Sequence, residues 1–101
     1  MPRPGAADSS EFRIFETAEF PRSLARLPER DAQVIRRKLV ETVYPQFRRM
    51  PFFGPNIKKL RGYTPDTWRY RIGRFRVFYT VGEDERIVFM LTVEARKDAY
   101  R

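Results

Sequence analysis

The sequence contains neither cysteine nor histidine. Without cysteine there are no disulfides and no thiolate metal sites. Without histidine the chain lacks the usual general base near neutral pH and the commonest metal ligand. Catalysis would have to use Arg, Lys, Glu, Asp, Tyr, Ser or Thr, and neither a cofactor nor a metal is expected. Long apolar runs are also missing. No stretch approaches the ~20 residues of a membrane span, and the N-terminus lacks the apolar core of a secretory signal. The expectation is a cytoplasmic chain with no membrane partner. At 101 residues it is read as one domain, of a size that buries roughly two-thirds of its unfolded surface.

Acids are few beside cations: 13 against 21, a net charge of +8. Lysine occurs only at Lys38, Lys58, Lys59 and Lys97, so the cations are mostly arginine. The plain reading of such charge is solubility. The arginine bias favours phosphate recognition, because the guanidinium offers a planar bidentate fork where lysine is a point charge.

Residues 1–10 are rich in Pro, Gly, Ala and Ser and read as a disordered lead before a single domain over 11–101. Phe12–Phe15 reads as a strand, with Phe12 and Ile14 on one face. Thr17 is a candidate N-cap for a helix carrying Phe20, Leu24 and Leu27, with Pro21 tolerated in its first turn. Pro28 ends that helix. A second helix is predicted from Glu29 to about Tyr44, with Val34, Ile35, Leu39, Val43 and Tyr44 on its apolar stripe and Pro45 as its stop. Two helices so closely joined predict an antiparallel helix hairpin. Gln46–Asn56, with Pro51, Gly54 and Pro55, reads as a loop whose Phe47, Phe52 and Phe53 tuck onto the core. Ile57–Arg61 is a short strand.

Period-2 patterning then marks a β-hairpin. Trp68, Tyr70 and Ile72 alternate with Arg69 and Arg71; Phe75, Val77, Tyr79 and Val81 alternate with Arg76, Phe78 and Thr80. After a polar turn, Ile87–Val93 forms an apolar last strand whose register the pattern does not fix. The expected class is α+β: an N-terminal strand and a two-helix hairpin packed on a twisted antiparallel sheet of about four strands.

A two-residue turn at Gly73 and Arg74 sets Ile72 opposite Phe75 and Arg71 opposite Arg76. Directly opposed residues share a face. Arg69, Arg71 and Arg76 therefore emerge together, with the aromatic residues on the other side beneath the helices. Opposed like charges in a sheet are unfavourable, and Trp68–Val81 offers no acid to offset them. An anion or an acidic partner protein would; the plain reading is a solvated sheet face. Lys58, Lys59 and Arg61 are candidates to widen the patch. Phe78 is either a core residue at the sheet edge or a stacking platform for a base.

Several stretches together resemble the RelE/ParE superfamily of toxin–antitoxin toxins: an early "ETAEF…L..LP", then "IKKLRG", "WRYRIGRFRVFYTV", an apolar strand and a closing "VEARKDAY". Order, spacing and length agree over about Glu11 to Arg101, and Lys59–Tyr79 is the specific part. The resemblance implies a helix hairpin on an antiparallel sheet and a cognate antitoxin, expected to bind through an acidic segment. RelE-type members cut mRNA in the ribosomal A site by attack of the ribose 2′-OH on the adjacent phosphate. ParE-type members share the fold and poison DNA gyrase. Arg69 and Arg71 stand where RelE-like toxins place two basic residues. Arg76 matches an arginine assigned to transition-state charge, and Arg96 one linked to leaving-group protonation or phosphate contact. Tyr100 matches a near-terminal tyrosine that stacks on or orients substrate; Lys59 and Arg61 match backbone contacts. Many relatives carry His where this chain has Ala95, and Lys where it has Arg69 and Arg71. Since arginine stays protonated it is a poor base; Glu94 is either a substitute base or a solvated carboxylate. The expected function is a ribosome-dependent endoribonuclease toxin, with a gyrase inhibitor or a catalytically weak antitoxin-binding module as alternatives.

Overall fold

The computed structural model describes residues 11–96; the expected N-terminal lead and Tyr100 lie outside the described residues. The elements in chain order are β1 (Arg13–Glu16), α1 (Glu19–Ala25), α2 (Glu29–Lys38), a π turn (Leu39–Val43), α3 (Tyr44–Arg49), β2 (Ile57–Lys59), β3 (Trp68–Ile72), β4 (Phe75–Gly82) and β5 (Ile87–Ala95). All helices lie on one face of the sheet, as the α+β reading expects.

The sheet has five strands in the order β1-β5-β4-β3-β2. β2 to β5 form the expected antiparallel meander. β1 departs from it by pairing parallel with β5, from Arg13 opposite Ile87 to Glu16 opposite Met90. The difference has a topological cause. A tight turn fixes the direction of a hairpin strand, whereas β1 meets its partner only after the rest of the chain has been laid down. Phe12 is buried and Ile14 packs against the core, so those two residues do share the covered face, while Phe15 is 55% exposed on the other.

Thr17 does not cap α1. The cap position is Ala18, without a side-chain bond. The Thr17 hydroxyl instead donates to the Met90 carbonyl at 2.8 Å, tying the end of β1 to β5. Ser23 is a second fastening. Buried in α1, its hydroxyl donates to Phe20 O at 2.7 Å and accepts from the Val93 N–H at 3.0 Å. Pro28 separates α1 from α2 as predicted.

The second helix does not stop at Pro45. Proline in a helix interior clashes with the carbonyl of the preceding turn. Here the turn before it widens, so that the Tyr44 N–H reaches Leu39 O, five residues back, the kind of local adjustment that absorbs such a clash. Pro45 then sits in the first turn of α3, which continues to Arg49. Gln46–Arg49 is thus helix rather than loop. Ile35, Leu39 and Val43, four residues apart, set the buried stripe; Val34, one position ahead of Ile35, is turned away and 60% exposed.

The core is aromatic. Phe47 lies 5.6 Å from the Tyr70 ring and 4.3 Å from Tyr79, and Phe52 packs 5.2 Å from Trp68. Tyr79 is fully buried and donates its hydroxyl to Pro51 O at 2.7 Å, so its polar end is satisfied. Burial pushes its ionisation well above the usual tyrosine range. Tyr44 behaves likewise, through burial first and then its 2.6 Å hydrogen bond to Glu16. Phe53 does not tuck in and remains exposed.

Candidate nucleic-acid interface

β3 and β4 form the predicted hairpin in the predicted register. Ile72 is opposite Phe75, Arg71 opposite Arg76, Tyr70 opposite Val77 and Arg69 opposite Phe78. Gly73, with φ of 56°, supplies the left-handed residue of the turn. Strand alternation then sends Trp68, Tyr70, Ile72, Phe75, Val77 and Tyr79 into the core beneath the helices. Arg69, Arg71 and Arg76 are left together on the face that no helix covers.

Neighbouring strands extend this face. Lys58 on β2 is directly opposite Arg69. Arg96 follows β5, its N–H bonded to Arg74 O at 2.9 Å beside the hairpin tip. Counting in twos from Glu94 puts Arg96 on the arginine side. Lys59 is elsewhere: opposite Trp68, it belongs to the covered face, where it pairs with Asp66 at 3.2 Å and stands 5.9 Å over the Trp68 ring. The one-residue step from Lys58 reverses its direction, so Lys59 does not widen the patch. Arg61 lies in the turn after β2, exposed.

The cations feel one another. Burial lowers the proton affinity of Arg69 first, and the charges of Arg71, Arg76 and Arg96 lower it further. Arginine remains charged through such a shift. Asn56 O accepts from both the Arg69 guanidinium at 3.1 Å and the Arg71 N–H at 3.0 Å, fixing Arg69 toward the β2 edge. Arg76 Nε is buried and has no hydrogen-bond acceptor. Its guanidinium stands 5.9 Å from the centroid of Phe78. Phe78 is half-buried on the arginine face, between Arg69 and Thr92, and so is not part of the core.

Two features escape the sequence reading. Glu94 is directly opposite Arg76, so the face does carry an acid, contributed by the strand whose register the pattern leaves open. A bulge between Phe78 and Tyr79 leaves Leu91 as an extra residue of β5. Beside it Tyr63, Thr67, Phe78, Leu91, Thr92 and Glu94 line a groove of about 230 Å³. Nothing in the local pattern of β5 announces a bulge, since a single inserted residue leaves an apolar run apolar. Among the described residues no cluster of acidic side chains is placed to hold a metal ion, and no helix is long and apolar enough to cross a membrane.

A small sheet with one face under a helix hairpin and the other open and cationic defines a class of protein suited to an anionic partner. The sequence model of the family described as the ParE toxin of the type II toxin–antitoxin system parDE matches residues 14–100. The chain belongs to this family of toxins, within the RelE/ParE superfamily. A candidate toxin, RelE1 of Methanocaldococcus jannaschii, is 41% identical over 46 residues, 46% of this chain and 50% of that protein. The match thus spans half the length of that relative. The fold is similar to that of the toxin–antitoxin complex RelBE2 from Mycobacterium tuberculosis (TM-score 0.66, 22% identity, 85% of this chain and 99% of that one). It is also similar to the isolated RelE toxin of E. coli (TM-score 0.60, 22% identity, 88% and 90%).

Proposed function

We propose that this chain is an endoribonuclease toxin that cleaves mRNA on the ribosome, in the cytoplasm. The observation that carries the reading is the grouping of Arg69, Arg71 and Arg76 on a bare sheet face, with Lys58 and Arg96 at its margins. In this reaction the 2′ oxygen bonds to phosphorus, the P–O5′ bond breaks, and the proton lost from the 2′-OH is balanced by the one that O5′ takes up. Charge builds on the phosphate oxygens in between. Preorganised guanidiniums aimed at that charge are the largest aid a protein without histidine has to offer. Arg76, opposite Arg71 on this face, is proposed to meet a phosphate oxygen with the end of its guanidinium. Arg69 and Arg71 position the strand, and Arg96 contacts the phosphate or the leaving group. Tyr100 is proposed to stack on the substrate. Holding the 2′-OH in line is left to RNA geometry on the ribosome, which alone is worth several kcal/mol.

The partner that restrains this activity is a cognate antitoxin with an acidic segment, supported by the +8 charge and by similarity to proteins found in complexes with antitoxins. Expression of the chain should arrest growth, and primer extension on mRNA after induction should show new 5′ ends. Arg76→Ala should relieve the arrest while the protein stays folded. A fully toxic Arg76→Ala variant overturns the mechanism. A gyrase-directed toxin is the second reading, favoured by the ParE name of the matching family and by the absence of histidine. It predicts trapped DNA cleavage complexes with mRNA intact.

A further inference from the structure

We propose that the groove beside the arginines receives one unstacked base of the bound strand, and that Glu94 makes it selective for guanine. This rests on the RNA reading above. Phe78 forms the floor, flanked by Thr92 on one neighbouring strand and Arg69 on the other. Arg76 is two residues away on the same strand, about 7 Å along it. A phosphate held by Arg76 therefore leaves its nucleotide's base over the Phe78 ring. Tyr63, from the segment between β2 and β3, adds a second aromatic wall. Flat aromatic surfaces next to phosphate-binding cations are how proteins hold splayed bases of single-stranded RNA. The groove has room for one planar ring system.

Glu94 supplies the selectivity. Among the described residues it is the one carboxylate that the strands carry on this face, and it makes no ion pair there. A carboxylate in an RNA-binding face repels phosphate, so it lowers general affinity; what it gains is discrimination. Its two oxygens accept hydrogen bonds and donate none. Guanine presents two adjacent donors, N1–H and N2–H₂, which match both oxygens at once. Adenine, cytosine and uracil each set an acceptor beside their donor, which a carboxylate repels.

The test uses the full chain and short fluorescent oligouridylates, 2′-O-methylated throughout to block attack, with one central G, A or C. Wild type should bind the G oligomer about tenfold more tightly than the A or C oligomer. In Glu94→Gln and Glu94→Ala that ratio should fall below about twofold, a comparison made within each variant and so independent of its stability. Phe78→Leu should weaken the G oligomer about tenfold. A ratio kept in the Glu94 variants, with all affinities changed alike, assigns Glu94 to screening Arg76 and overturns the proposal. Equal, salt-dependent binding of every oligomer by wild type overturns the base pocket and leaves the phosphate face standing. No binding of any oligomer overturns the RNA reading itself.

Discussion

Replacing Arg71 with glutamine removes one charge from a face where Arg71 is directly opposite Arg76 and next to Arg69 along β3. Two unit charges roughly 8 Å apart in water repel by ~0.5 kcal/mol, and opposed like charges in a sheet cost about 0.2–1 kcal/mol. Arg71 is exposed and its stem contributes little to the core. Arg71→Gln should therefore stabilise the fold by ~0.5 kcal/mol, which for a domain of this size raises Tm by about 2–4 °C. The measurement is thermal unfolding at about 0.01 M and about 1 M salt, where the screening lengths are ~30 Å and ~3 Å. The gain should appear at low salt and vanish at high salt. RNA affinity should move the other way, and the slope of its logarithm against log salt should shrink by ~0.7 for the lost phosphate contact. A Tm that falls, or a gain that persists at about 1 M salt, refutes the view that this face is held under electrostatic repulsion. A gain in Tm with unchanged RNA binding refutes the view that the repulsion serves RNA.

Other outcomes follow from groups in the core. Ser23→Ala strands the buried Val93 N–H and should cost about 1–3 kcal/mol in urea unfolding; no measurable loss would mean that the α1–β5 fastening is idle. Tyr79→Phe leaves Pro51 O without its donor and should lower stability by about 1 kcal/mol, read as a lower urea midpoint. Stability should also fall in alkali. Tyr44 and Tyr79 ionise at higher pH when folded than the ordinary value near 10. Their contribution is complete below about pH 10 and is lost above it, as the unfolded chain releases protons that the folded one retains, at about 1.4 kcal/mol per pH unit for each group. Tyr79→Phe should flatten that decline, and an equally steep one would disprove its source.

The hairpin was fully legible, and for a local reason. Alternation fixes which residues share a face, and Gly73–Arg74 fixes the register, so Arg69, Arg71 and Arg76 follow within a span of eight residues. What could not be read depended on distant pairing or on a compensated local conflict. Pro45 looks like a stop because the widened turn that accommodates it has no residue signature. Lys58 and Lys59 look equivalent until the strand assigns them opposite faces. Glu94 joins the site only once β5 is aligned on β4, and the bulge at Leu91 that shapes the groove falls at the end of the apolar run Ile87–Leu91, where the residue types do not mark it.

The placement of β5 between β1 and β4 bears on when the molecule exists at all. The Thr17 hydroxyl bonds a residue 73 positions later, and the bulged segment lining the groove comes from the same late strand. Such long-range pairing is slow and cannot begin until the distal partner is present. During synthesis the early strand and helices must wait beside an unfinished sheet, with their apolar faces uncovered. The arginine hairpin could form early, yet Glu94, Thr92 and Arg96 arrive only with β5. A nascent chain is therefore without its complete anionic-partner surface until nearly all of residues 13–96 have emerged, and a truncated product ending before β5 should carry the charge without the site.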